Sequence, residues 1–127
     1  MAATFDELAP GHKFPPQSYR INADDVSAYN EAVGATPRDH VPPLLIAAHA
    51  IASLADLIAF KEGVIHAAQE FSFSRTVPMG AEVTCAVSVL RKLSRGPVRM
   101  LTLEMNISDE SGAPVQTGRS TIVLLEA

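Results

Sequence analysis

Residues 42 to 60 constrain the fold more than any other stretch of the chain. The run from Pro42 to Phe60 is apolar at nearly every position and rich in Ala. Pro42 and Pro43 have no N–H to give, so they fit only at the start of a helix. The spacing predicts a helix from about 43 to 60, apolar nearly all round, with Lys61 and Gly63 closing it. Such a helix has to be enclosed by the rest of the fold, and its small residues let a sheet come close. His49, Ser53 and Asp56 interrupt the run. It is therefore read as a buried helix, since a membrane span needs about 18 or more unbroken apolar residues.

The C-terminal half of the chain supplies the enclosing surface. Residues 64 to 77 set Ile65, Ala67, Phe71 and Phe73 against Glu70, Ser72 and Ser74, and Pro78-Met79-Gly80 makes a turn. Val83, Cys85, Val87 and Val89 alternate with polar or small residues up to the turn Arg95-Gly96-Pro97. Leu101, Leu103, Met105 and Ile107 alternate again, Asp109 to Ala113 is a hairpin loop, and Val115 to Leu125 is the last strand. The pattern predicts a meander of four long strands.

Upstream, residues 1 to 18 are rich in Pro and Gly and read as an irregular arm that Phe5, Leu8 and Phe14 pin to the domain. Tyr19 to Ile21 reads as a short strand. Asn22 is placed as a helix N-cap, with Asp24 and Asp25 in the first turn and Gly34 as a left-handed C-cap. Val26, Tyr29, Ala32 and Val33 share one face of that helix. A long antiparallel sheet with one apolar face needs a cover, and the 43–60 helix is the long apolar element available. The expectation is one α+β domain over residues 1–127, its sheet curled around the central helix.

Composition excludes several functions. The 127 residues are 47% apolar with a net charge of −4, and no basic cluster or Lys/Arg-flanked aromatic platform argues for nucleic acid. With no secretory signal and a single cysteine, Cys85, a cytoplasmic protein without disulfides is expected. No His/Cys/Asp spacing suits a metal and no Gly-rich loop suits a phosphate, so no cofactor is expected.

Several phrases together resemble the MaoC-like acyl-thioester dehydratase and (R)-specific enoyl-CoA hydratase family, which has the hot-dog fold. They are the helix Asp24 to Gly34, the run Gln69 to Val83 with its Pro78-Met79-Gly80 turn, the loop Asp109 to Val115, and Gly118-Arg119-Ser120-Thr121. The resemblance covers roughly residues 5 to 125. It implies an antiparallel sheet curled around a long helix, pairing of such domains through their sheets, and acyl sites at the dimer interface. The family's chemistry lies in a Gly-Asp-x-Asn-Pro-x-His loop after the short helix, with a backbone N–H at the start of the central helix polarising the thioester carbonyl.

This chain departs from that loop. Gly34 matches, but Ala35 stands at the Asp, Pro37 at the Asn and Arg38 at the Pro. His40 keeps the His spacing, with Asp39 before it. The family's His-Gly phrase is replaced by Pro43-Leu44, and most of the stretch between loop and central helix is missing.

Each candidate residue has two readings. His40 is either the acid/base imidazole, with Asp39 or a partner chain supplying a carboxylate, or a solvated loop histidine. Asp39 is an assisting carboxylate or a turn residue. The backbone N–H groups of Leu44 and Leu45 are candidate oxyanion donors at a helix N-terminus. His49 and His66 are candidate substrate-binding residues, with His66, residue 68 and Glu70 expected to share a strand face; otherwise they are a core histidine and a solvent-facing one. Cys85 reads as core.

The resemblance implies a hydro-lyase acting on the α,β-bond of an acyl thioester of CoA or acyl carrier protein, as a homodimer or as a heterodimer with a homologous hot-dog subunit. A non-catalytic subunit or acyl-binding module is the alternative. A thioesterase using Asp56 or Glu70 is a third.

Overall fold

The computed structural model describes residues 2–59 and 63–125. The elements in chain order are a 3-10 turn at Phe5–Glu7, β1 (Gln17–Arg20), α1 (Ala23–Val33), β2 (His40–Val41), α2 (Pro43–Leu57), β3 (Ile65–Phe73), β4 (Val77–Pro78), β5 (Glu82–Arg95), β6 (Val98–Ser108) and β7 (Pro114–Leu125). Five strands form one antiparallel sheet in the order β1-β5-β6-β7-β3, and β2 pairs with β4 in a separate two-stranded clasp.

The alternation read in the long strands is the alternation of burial. Val83, Cys85, Val87 and Val89 of β5 and Leu101, Leu103, Met105 and Ile107 of β6 are buried in one core with Leu45, Ile46, Ala50 and Leu54 of α2. In β7 the inward positions are Gln116, Gly118, Ser120, Ile122 and Leu124, so this strand turns polar and small toward its N-terminal end. The sheet wraps one side of α2, in the α+β arrangement expected.

Four expectations need correction. The strands are not a simple meander, because β3 crosses to the far edge and pairs with β7. The 64–77 segment is two elements, β3 and β4, parted at 74–76. The central helix ends at Leu57: Ile58 is extended and bridges Ala3, while Phe60 and Lys61 lie outside the described residues. Nor is α2 enclosed all round. Leu44, Ala48, Ala52 and Ala55 are exposed along one side, because a single sheet covers a helix from one direction only. No helix among the described residues is long and apolar enough to cross a membrane.

The arm is better ordered than its composition implies. Phe5, Leu8 and Phe14 are buried as expected. Its backbone also bonds to β5, with Gly11 N–H donating to Val89 O (2.8 Å), Phe14 N–H to Val87 O (2.9 Å) and Val89 N–H to His12 O (2.8 Å).

Candidate functional site

The site grows out of the end of α1. Asn22 caps the helix, its side-chain oxygen accepting from Asp25 N–H at 2.8 Å, and Gly34 ends it at a φ of 71°, a conformation that costs a glycine little. Ala35 N–H returns to Asn30 O at 2.8 Å, so the chain leaves the helix sharply. It then enters the β2–β4 clasp, where His40 faces Pro78 and the buried Val41 faces the buried Val77. Burial of those two valines holds His40 just two residues before Pro42, the N-cap of α2.

A cavity of about 540 Å³ opens between the end of α1 and the start of α2. Tyr29, Asn30 and Val33 of α1 form one wall, Pro42, Pro43 and Leu44 another, and Phe73 at the end of β3 a third. Arg38 and His40 are its ionisable residues besides Tyr29, and no Asp or Glu lines it. Asn30 is buried as a residue, yet its side-chain amide makes no hydrogen bond among the described residues. It therefore leaves an open donor and acceptor beside the cavity. The His40 side chain is 28% exposed, and its Nδ1 lies 3.4 Å from Oδ1 of Asp39, whose carboxylate stands in solvent. A pair at that distance with one member solvated is a weak interaction.

The first turn of α2 contributes the positive end of a helix. Leu45 N–H donates to Pro42 O at 3.0 Å and Ile46 N–H to the same oxygen at 3.4 Å. Pro43 has no N–H, and Leu44 N–H has no backbone acceptor among the described residues. The first turn of α2 thus leaves Leu44 N–H open at the cavity wall. Beneath it, the Gln116 side chain of β7 donates from Nε2 to Pro43 O at 2.8 Å. This arrangement can hold a neutral carbonyl compound among apolar walls and move a proton at an imidazole.

No family model matches the chain. A UPF0336 protein from Clavibacter michiganensis subsp. michiganensis is 29% identical, over 84% of this chain and 85% of its own length. Among solved structures, the (R)-hydratase from A. caviae involved in PHA biosynthesis is 26% identical with a TM-score of 0.70, over 91% of this chain and 96% of that one. The MaoC-like dehydratase from Rhodospirillum rubrum has a TM-score of 0.80 at 19% identity, over 96% of both chains. The HadBC (3R-hydroxyacyl-ACP dehydratase) complex from Mycobacterium tuberculosis has a TM-score of 0.75 at 14% identity, over 91% of this chain and 96% of that one. The chain has the hot-dog fold of the MaoC-like dehydratases and (R)-hydratases.

Within this hot-dog domain the expected site residues separate. His40 and Leu44 meet at the cavity, with Asp39 at its solvent side. Leu45 does not join them, because its N–H is already used and its side chain is buried. His49 is half-buried and stacks on Tyr19, ring centroids 5.5 Å apart, away from the cavity lining. His66 sits on exposed β3, its Nε2 2.9 Å from Gln69 Oε1. A register shift between His66 and Ala68 sets His66 and Gln69 opposite the inward Ile122 and Ser120. His66 therefore shares a face with Gln69 rather than with Glu70, and the same bulge takes Ile65 off the face of Phe71 and Phe73. Asp56 and Glu70 are exposed and do not line the cavity. Cys85 is buried, and burial pushes its thiol up to about 11.

Three cavity residues are not evident as site residues in the sequence. Asn30 comes one helical turn after Val26, a spacing that puts it on the inward face. Arg38 stands out only as a departure from a motif. Phe73 alternates like a core residue, whereas it is 49% exposed at the cavity.

Proposed function

We propose that the protein is a hydro-lyase that adds or removes water across the α,β-bond of an acyl thioester. The observation that carries this reading is the shared cavity of His40 and the open Leu44 N–H at the start of α2. In hydration, His40 takes a proton from water as the water oxygen bonds to the β-carbon. The electron pair of the α,β-bond moves onto the thioester oxygen, where Leu44 N–H and the helix dipole stabilise it. The imidazolium then returns a proton to the α-carbon. The Asn30 amide orients the water, and Asp39 assists from solvent. Arg38 at the exposed rim suits the phosphates of CoA or of a carrier protein's prosthetic arm.

The working unit is a pair of hot-dog subunits, alike or homologous, joined along β3. That strand is a sheet edge with Ile65 and Phe73 about half-exposed, which is an edge natural proteins cover.

One observation favours a second reading, the non-catalytic half of such a pair. No carboxylate lines the cavity, and Ala35 stands in its wall at the position of the family's Asp. The HadBC dehydratase among the solved structures is likewise a complex.

The test measures loss of enoyl absorbance when purified protein meets a short trans-2-enoyl-CoA, beside His40→Ala. Hydration that collapses in the variant supports the hydro-lyase. Silence of both proteins on short and long chains, with activity appearing when a homologous subunit with an intact acid/base loop is added, supports the second reading.

A further inference from the structure

Gln116 is a buried polar side chain beneath the start of α2. It is 1% exposed, and its Oε1 is buried without a hydrogen-bond partner among the described residues. A buried acceptor left without a partner is destabilising, and such groups tend to mark functional sites. Two apolar neighbours in register, Ile107 and Phe73, flank it across the sheet. A methionine of similar length would fill the space without an orphaned atom.

Its one hydrogen bond goes to a particular peptide. Nε2 donates to Pro43 O at 2.8 Å. Pro43 C=O and Leu44 N–H belong to the same planar unit. A bond accepted by that carbonyl fixes the plane of the peptide, and so the direction of the Leu44 N–H. It also draws electron density toward the oxygen and makes the N–H a stronger donor, since hydrogen bonds in series polarise one another. The next two helical amides, Leu45 and Ile46, are tied to Pro42 O, so Leu44 is the donor left to strengthen.

We propose that Gln116 is a positioning residue: through Pro43 O it orients and polarises the Leu44 N–H that binds the substrate's thioester oxygen. This rests on the hydro-lyase reading of the cavity for its donor, and adds the residue that tunes it. Gln116 itself touches no substrate.

The test uses two probes on wild type and Gln116→Met. The first is butyryl-CoA labelled with ¹³C at the thioester carbonyl, which cannot be hydrated, with the bound carbonyl stretch read by isotope-edited infrared spectroscopy. The second is crotonyl-CoA hydration. Wild type should lower the stretch relative to free ligand. Gln116→Met should bind butyryl-CoA equally well, lose most of that lowering, and show kcat down about 10-fold with KM unchanged, the signature of an interaction made in the transition state. Its melting temperature should not fall. A merely structural glutamine would show the reverse, with a lower melting temperature and a raised KM.

If Gln116→Met fails to fold, Gln116→Glu replaces it. Its carboxyl donates to Pro43 O only while protonated, so the lowering should be present in acid and vanish as pH rises. A lowering that persists in Gln116→Met, or at every pH in Gln116→Glu, overturns the assignment. A lowering that Gln116→Met abolishes, with neither protein hydrating crotonyl-CoA, sinks the hydro-lyase reading and leaves the Gln116 assignment standing. No bound signal or no lowering in wild type overturns both.

Discussion

At the β1 edge of the sheet, the N-terminal arm continues where β1 stops and bonds to β5 through Gly11, His12 and Phe14. Lys92 Nζ reaches back to Leu8 O at 2.8 Å and sits 4.5 Å from the centre of the Phe5 ring. At the β3 edge no arm lies alongside among the described residues, and seven of nine residues are exposed. The first edge is sealed and apolar beneath. The second is open, and it carries Phe73 at the cavity and pairs with the polar inward positions of β7. On the hydro-lyase reading, this chain places its stability on one side and its chemistry on the other.

The largest effect that separates the two sides is catalytic. On the hydro-lyase reading, His40→Ala should cut hydration of a trans-2-enoyl-CoA by about 10²–10⁴-fold, with the urea midpoint little changed because the residue is part-exposed and weakly bonded. A variant that loses stability instead would place His40 with the structural half.

Next in size, Phe14→Ala should remove about 3–4 kcal/mol of unfolding free energy, read from urea titrations, because it empties a buried aromatic site under the sealed edge. A cost below about 1 kcal/mol would mean that the arm is not part of the core.

An intermediate effect comes from pH. Cys85 lies opposite Gln17 of β1, and burial raises its thiol from 9.0 to about 11. The folded state holds the neutral thiol while the unfolded chain ionises. Its stabilisation is therefore full below about pH 9 in the sense that both states then hold the proton at no relative cost, and the balance shifts toward the unfolded chain as pH rises toward 11, by about 2 kcal/mol. Comparing urea titrations at pH 8 and 11 should show wild type losing that much more than Cys85→Val. Equal losses would mean that the sealed edge admits water.

The smallest stability change is expected on the open side. Phe73→Ala should alter the urea midpoint of dilute protein by less than about 1 kcal/mol, since the ring is half in solvent already. It should instead weaken association, read by sedimentation as the fraction of dimer at low concentration. A large loss of stability with association intact would show the β3 edge to be sealed in the working protein.

Much of the fold is legible in the chain. The cap residues Asn22 and Gly34 bound α1 where the structure has it, and the alternations in β5 and β6 pick out the buried side chains. His40 and Leu44 are legible as a juxtaposition because only three residues part them. Asn30 and Gln116 are not. Asn30 matters through a cavity made by α1, the loop and α2 together, and Gln116 through a contact with Pro43, 73 residues away in sequence.

By itself the sequence determined what depends on neighbours a few residues apart: helix caps, turns, strand periodicity and the apolar character of α2. These arise from backbone sterics and hydrogen bonding within one or two turns. Tertiary structure alone decided that β3 pairs with β7, that a bulge re-aims His66, that α2 keeps an exposed side, and that one donor at its start stays open above Gln116. Each of those depends on which distant surfaces meet when the sheet closes on the helix, and local periodicity is the same whichever partner a strand finds.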